Sequence, residues 1–170
     1  MPLPNPEFVH FPDPRLGAAA NARPVDADLL ATGERLLAAA RRVNAYGLAA
    51  AHLGLVEPVA VVSIAVPEAR DYRVLYNPVV ISTGGAETSG HEGSVSMPGI
   101  EVAISRPSTA QIAFDDTTGT RQVLDLTGFA ARVAQHEIDQ VNGLFFLDHL
   151  SRLKRDAAVR RFAKVQARPT

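Results

Sequence analysis

The sequence contains no cysteine. That absence excludes disulfides, thiolate metal ligands and thiol nucleophiles together. Lysine is scarce as well: Lys154 and Lys164 are the only two, and arginine carries the rest of the positive charge, a pattern read as genome bias. With a formal net charge of −1 and no basic run, nothing gives an electrostatic case for nucleic acid or a membrane surface. No apolar run approaches the roughly 20 residues of a membrane span. The opening Met1-Pro2-Leu3-Pro4-Asn5-Pro6 is unlike a signal peptide, so the expected location is cytoplasmic. Repeats and low-complexity linkers are missing too.

What is present is 170 residues with a 46% hydrophobic fraction, enough for one domain with its own core. Residues 1–25 are proline-rich and read as an extended arm, with His10-Phe11-Pro12-Asp13-Pro14-Arg15-Leu16 the distinctive run. From 26 to 43, Leu29, Leu30, Leu36, Leu37, Ala40 and Val43 recur at helical spacing. Tyr46-Gly47-Leu48-Ala49-Ala50-Ala51-His52-Leu53-Gly54 brackets small residues between glycines, which permits close backbone approach. Strands are expected at 59–65, 72–76, 79–81 and 100–105, with a polar loop at 83–90. Segments 110–114 and 122–126 flank Asp115-Asp116-Thr117-Thr118-Gly119-Thr120-Arg121, a hairpin signature. A helix at 127–141 follows, and a last one at 153–166 should turn Val159, Phe162, Ala163 and Val165 inward. This order gives an α+β fold with a mostly antiparallel sheet around the 127–141 helix.

That central helix carries the chemistry. Thr127 is the expected N-cap and Asn142-Gly143 the stop. At roughly 100° per residue, Phe129, Ala130, Val133, Ala134, Ile138 and Val141 form an apolar arc beside His136, with Arg132, Gln135 and Asp139 opposite. Glu137 and Gln140 fall inside the apolar arc, where a carboxylate needs a partner or a proton. His136 followed by Glu137 is the start of a zinc-hydrolase helix, in which two histidines hold metal and the glutamate activates water. The second ligand position holds Gln140.

Three segments in order, Gly47-Leu48-Ala49-Ala50-Ala51-His52, Glu92-Gly93-Ser94-Val95-Ser96-Met97-Pro98 and Gln135-His136-Glu137-Ile138-Asp139-Gln140, resemble the signature segments of the peptide deformylases. Tyr76-Asn77-Pro78, Arg106-Pro107 and Asn142-Gly143-Leu144-Phe145-Phe146-Leu147-Asp148 extend the likeness along nearly the whole chain. The resemblance implies a peptide-deformylase-like fold and a hydrolase that removes formyl groups from N-formylmethionyl ends. It implies an iron, zinc or nickel ion held by one cysteine and two histidines, a glutamate base, and an oxyanion-stabilising glutamine. Carried over, the cysteine position is Ser94, the histidines are His136 and Gln140, the base is Glu137, and the oxyanion position is His52. Gly47, Leu48, Gly93, Val95, Met97 and Val133 take the positions that form the family's methionine pocket. Glu101 places a charge where family members often carry Gly or Arg.

A serine hydroxyl is less acidic and harder than a thiol, and a glutamine offers only a neutral carbonyl, so both substitutions weaken a borderline metal's site. The leading expectation is a metal-poor protein whose cleft binds an N-terminal peptide or a small ligand. Other readings stay open: a re-tuned metal hydrolase using His52 and His136 with Glu137 or Gln140, a weak deformylase, and a serine-nucleophile enzyme pairing Ser94 with His136.

Overall fold

Among the described residues, five strands make one antiparallel sheet in which each strand lies beside the next in sequence, so every connection is a hairpin or a short local return. The computed structural model describes residues 8–168. The first part of the proline-rich arm, residues 1–7, and residues 169–170 lie outside that description. In chain order the elements are α1 (Ala27–Val43), β1 (Gly47–Ala49), β2 (Val59–Ser63), β3 (Tyr72–Gly93), β4 (Glu101–Asp115), β5 (Arg121–Thr127), α2 (Gly128–Val141) and α3 (Arg152–Ala167). Within the arm, Pro14–Gly17 closes a 3-10 turn whose start is capped by the Asp13 carboxylate on the Arg15 amide.

The periodic segments behave as their patterns dictate. In α1, Asp26 caps the Leu29 amide at 2.9 Å, and Leu29, Gly33, Leu36, Ala39 and Ala40 face the core. Val43 is 42% exposed, because the chain leaves the helix there through Asn44 in the left-handed region. Gly33 is required by packing: a Cβ there would run into the Tyr76 hydroxyl. The β4–β5 hairpin pairs Asp115 with Arg121 and Thr109 with Thr127, as its turn residues anticipate.

The expected loop at 83–90 is strand instead. β3 continues through it, paired with β4 from Thr83↔Ala110 to Gly93↔Glu101. Residues 83–89 are exposed, so no burial alternation marks them as a strand, and the backbone ladder alone holds them. Register shifts interrupt the ladder, one lying between Gly84 and Glu87, where Glu87 faces Pro107. A proline that cannot donate is accommodated at such an irregularity.

α2 lies against the sheet. Ala131, Ala134 and Ile138 pack on Val62, Leu75 and Ile112 in one apolar cluster. It ends in a Schellman arrangement: the Leu144 amide donates to Asp139 O, and Gly143, at φ 81°, donates to Gln140 O. Thr127 occupies the N-cap, but its side chain makes no capping bond. Gln135, expected on the polar side, is buried because β4 covers that flank. Its amide donates to Pro107 O at 3.0 Å and Ala131 O at 3.1 Å. In α3, Ala158 and Phe162 are buried while Ala163 is exposed, so the inward stripe runs one side over from the expected one. No helix among the described residues is long and apolar enough to cross a membrane.

Candidate functional site

Three pieces of backbone meet at one cleft of about 820 Å³, within the range of small-ligand sites. β1 and the 3-10 turn after it (Ala50–Leu53) supply Gly47, Leu48 and His52. The end of β3 and the chain beyond supply Glu92, Gly93, Ser94 and Val95. α2 supplies Phe129, Arg132, Val133, His136 and Glu137, while Glu101 and Arg161 also line the cleft. Met97 is not among these residues. The Met97 amide turns back onto Ser94 O at 3.0 Å, and its side chain is wholly buried with Leu16, Ile104, Phe145 and Phe146. It supports the cleft from behind.

Glu137 is 4% exposed and lies against Gly47, where a Cβ would meet its Cγ at 2.8 Å and Oε2 at 2.9 Å. Only glycine allows that approach. Among the described residues, Glu137 Oε1 is buried with no hydrogen-bond partner. Burial pushes the carboxyl's pKa up to about 7. At low pH both folded and unfolded chains hold this proton. As pH rises past about 4.5 the unfolded chain ionises first, so stability falls until about pH 7 and then levels. Glu137→Gln is therefore expected to be neutral at pH 4 and stabilising at pH 8, by on the order of 3 kcal/mol. Urea unfolding of both proteins at the two pH values checks this; an unchanged difference would contradict it.

His136 is held from behind. Its Nδ1 meets Glu92 Oε1 at 2.7 Å, leaving Nε2 for the cleft. Glu92 also accepts from Arg106 Nε at 2.6 Å, Arg106 Nη2 at 2.9 Å and Arg132 Nη1 at 2.7 Å. Arg106 continues to Asp139 Oδ2 at 2.9 Å, and Asp139 to the exposed His149 at 2.8 Å. Burial works against the charge on Glu92, but the Arg106 and His136 hydrogen bonds outweigh it and hold its carboxyl well below the usual range. Burial likewise disfavours charge on His136, and the Glu137 and Glu92 carboxylates overcome it and raise its pKa. Sequence reasoning missed this network. Glu92 and Arg106 sit within quoted motifs, but a strand gives no wheel on which their convergence with α2 could be read.

His52 is 1% exposed. Its Nδ1 accepts the Ala49 amide at 3.0 Å, and its Nε2 lies 3.4 Å from Ser94 Oγ. Burial first, and then the neighbouring His136, push its pKa down to about 3, so the ring is neutral. The 4.0 Å approach of Nδ1 to Glu137 Oε1 is consequently no ion pair. Ser94 Oγ accepts the Ser96 amide at 3.1 Å. Gln140, 2% exposed, directs its amide nitrogen to Leu16 O at 2.7 Å.

The polypeptide deformylase family model matches residues 6–156. A peptide deformylase-like protein of Agrobacterium fabrum is 37% identical over 157 residues, covering 91% of this chain and 94% of that one. A peptide deformylase of Mesorhizobium japonicum is 32% identical over 167 residues, covering 96% and 94%. The crystal structure of peptide deformylase from Ehrlichia chaffeensis in complex with actinonin superposes with a TM-score of 0.84 at 27% identity, covering 95% of this chain and 97% of that one. The resemblance carried by the three segments holds over the fold as well as the sequence, and the chain belongs to the polypeptide deformylase family.

Proposed function

We propose that this protein keeps the deformylase cleft as a single-domain binding site for the N-terminal end of a peptide and does not perform metal-dependent deformylation. The donor set carries this reading. Of the three positions at which the family holds metal, only His136 offers a strong ligand. Ser94 is a hydroxyl already accepting the Ser96 amide, and Gln140 is an amide tied to the Leu16 backbone. Among the described residues no three His, Cys, Asp or Glu side chains are grouped so as to hold a metal ion. The residues present therefore do not fit the family's ion. Without one, nothing lowers the pKa of a bound water toward 7, and Glu137 has no activated nucleophile to serve.

The walls of the cleft support binding. Leu48, Val95, Phe129 and Val133 give it apolar surface, and Glu137, His52 and Ser94 give it a polar floor. The test is a calorimetric titration of the purified protein with formyl-Met-Ala-Ser and with Met-Ala-Ser. Saturable binding without release of formate is the expected result. Silence with both peptides at millimolar concentration, or steady formate release, would overturn the reading.

A further inference from the structure

We infer that β5 is a self-pairing edge: two copies of this chain join β5 to β5, antiparallel, about a two-fold axis at Val123, and fuse their sheets into one. This pairing is independent of the binding role proposed above. β5 is the edge of the sheet opposite β1, the strand that supplies Gly47 and Leu48 to the cleft.

β5 pairs on one side only, with β4 along Arg121–Thr127. The hairpin fixes which of its backbone groups that ladder uses. The Asp116 amide donates to Thr120 O at 2.9 Å, so by alternation the hydrogen-bonded pairs beyond it are Phe114↔Gln122, Ile112↔Leu124 and Ala110↔Leu126. The amides and carbonyls of Arg121, Val123 and Asp125 therefore point away from β4. Among the described residues they meet no backbone partner outside the ladder, and all three residues are exposed. Native sheets blunt a free edge with proline, lysine, a bulge or a very short strand. β5 has seven residues, no proline, no lysine, and a register against β4 that runs without a shift. It does carry two charges, Arg121 and Asp125, and their placement decides the pairing.

Leu124 and Leu126 pack with α2, so Arg121, Val123 and Asp125 project from the other face of the sheet. There Arg121 Nη1 reaches Asp115 Oδ1 at 3.2 Å, and Gln111 Nε2 reaches Asp125 Oδ1 at 3.0 Å. Between these pairs Val79, Ala113 and Val123 form one cross-strand row, with Val79 43% and Val123 53% exposed. A second β5 reversed against the first, Val123 opposite Val123, sets each Arg121 opposite Asp125 of the other copy. The residues that meet are then those whose backbone groups face outward, and each such pair can exchange two hydrogen bonds. The apolar row runs on through the axis, flanked on both sides by rows that alternate in charge.

No other two-fold register does this. With the axis at Arg121 or Asp125, like charges stand directly opposite, which is destabilising. With the axis at Gln122 or Leu124, a charged residue faces Val123 of the other copy. Exposed ion pairs contribute little affinity, so they select the register while the backbone bonds and the valines hold it.

Sedimentation equilibrium of the full chain over a wide concentration range is expected to show a mass rising from one chain toward two. Arg121→Asp and Asp125→Arg should each weaken self-association roughly ten- to hundredfold, since two pairs pass from attraction to repulsion. An equimolar mixture of the two variants should dimerise again, because every Asp then faces an Arg across the junction. The chain has no cysteine, so a single introduced one reports the register cleanly. Val123→Cys should oxidise to a covalent dimer, a hydrogen-bonded antiparallel pair holding its Cα atoms about 5.5 Å apart, within disulfide reach. Thr117→Cys, in the exposed turn, should cross-link far more slowly. A one-chain mass at every concentration would overturn the self-pairing and leave the free edge to a strand of a different protein. A dimer unmoved by both charge variants, or a mixture of the folded variants that stays monomeric, would overturn it too. Should either charge variant fail to fold, the cysteine pair still decides: Thr117→Cys cross-linking as fast as Val123→Cys contradicts the register.

Discussion

Replacing Ser94 by Cys and Gln140 by His together is expected to turn a metal-poor cleft into one that retains close to one transition metal per chain. The backbone is already arranged for it. His136 and Gln140 are four residues apart on α2, so their side chains neighbour one another on the helix. The orienting groups are also in place. Glu92 Oε1 fixes the His136 ring from behind at 2.7 Å, and Leu16 O, which now receives the Gln140 amide at 2.7 Å, can accept one N–H of an imidazole at that position. Such outer partners fix ligand tautomer and orientation. Four-ligand structural zinc sites are associated with about 10–16 kcal/mol, and a three-ligand site draws on the same bonding with one position left open. Each single variant should fall far short, since two strong ligands do not close a site, so the gain must be non-additive. Elemental analysis and zinc calorimetry of both single variants and the double variant check this. A double variant without metal would mean that positions 94, 136 and 140 do not converge.

Arg106→Ala should unfold the protein at much lower denaturant, with a loss of about 3–5 kcal/mol. Arg106 is 3% exposed and holds Glu92 through two hydrogen bonds and Asp139 through a third. Its removal leaves two carboxylates with too little positive charge nearby, in a site where burial already disfavours ionised Glu92. Arg132 remains on Glu92 but donates also to Ile104 O and Thr88 O, so it cannot take over both contacts. Urea midpoints at constant m-value measure the effect, and a loss below about 1 kcal/mol would show that the network contributes little.

The helix at 127–141, its Asn142-Gly143 stop and the burial of Glu137 and Gln140 were legible because helical periodicity writes facing directions into one stretch of sequence. The 110–126 hairpin was legible from its turn. What escaped depended on elements distant in sequence. Residues 83–90 pair with β4 although nothing in their own pattern requires a strand. Gln135 is buried by a strand passing over it, and Met97 by a turn that aims it at the core. The role of His52 hung on a single amide three residues earlier, and residue types alone could not show which ring nitrogen it meets. Gly47 permits close approach by its residue type, but only the assembled fold reveals that Glu137 is the group it admits.

The most direct test of a metal-poor cleft is the metal content of the wild-type protein, grown with iron, nickel and zinc supplied and purified without chelator. Well under one of these metals per chain is expected after dialysis, with Ser94→Cys/Gln140→His from the same medium near one. A stoichiometric metal retained by the wild type would contradict it.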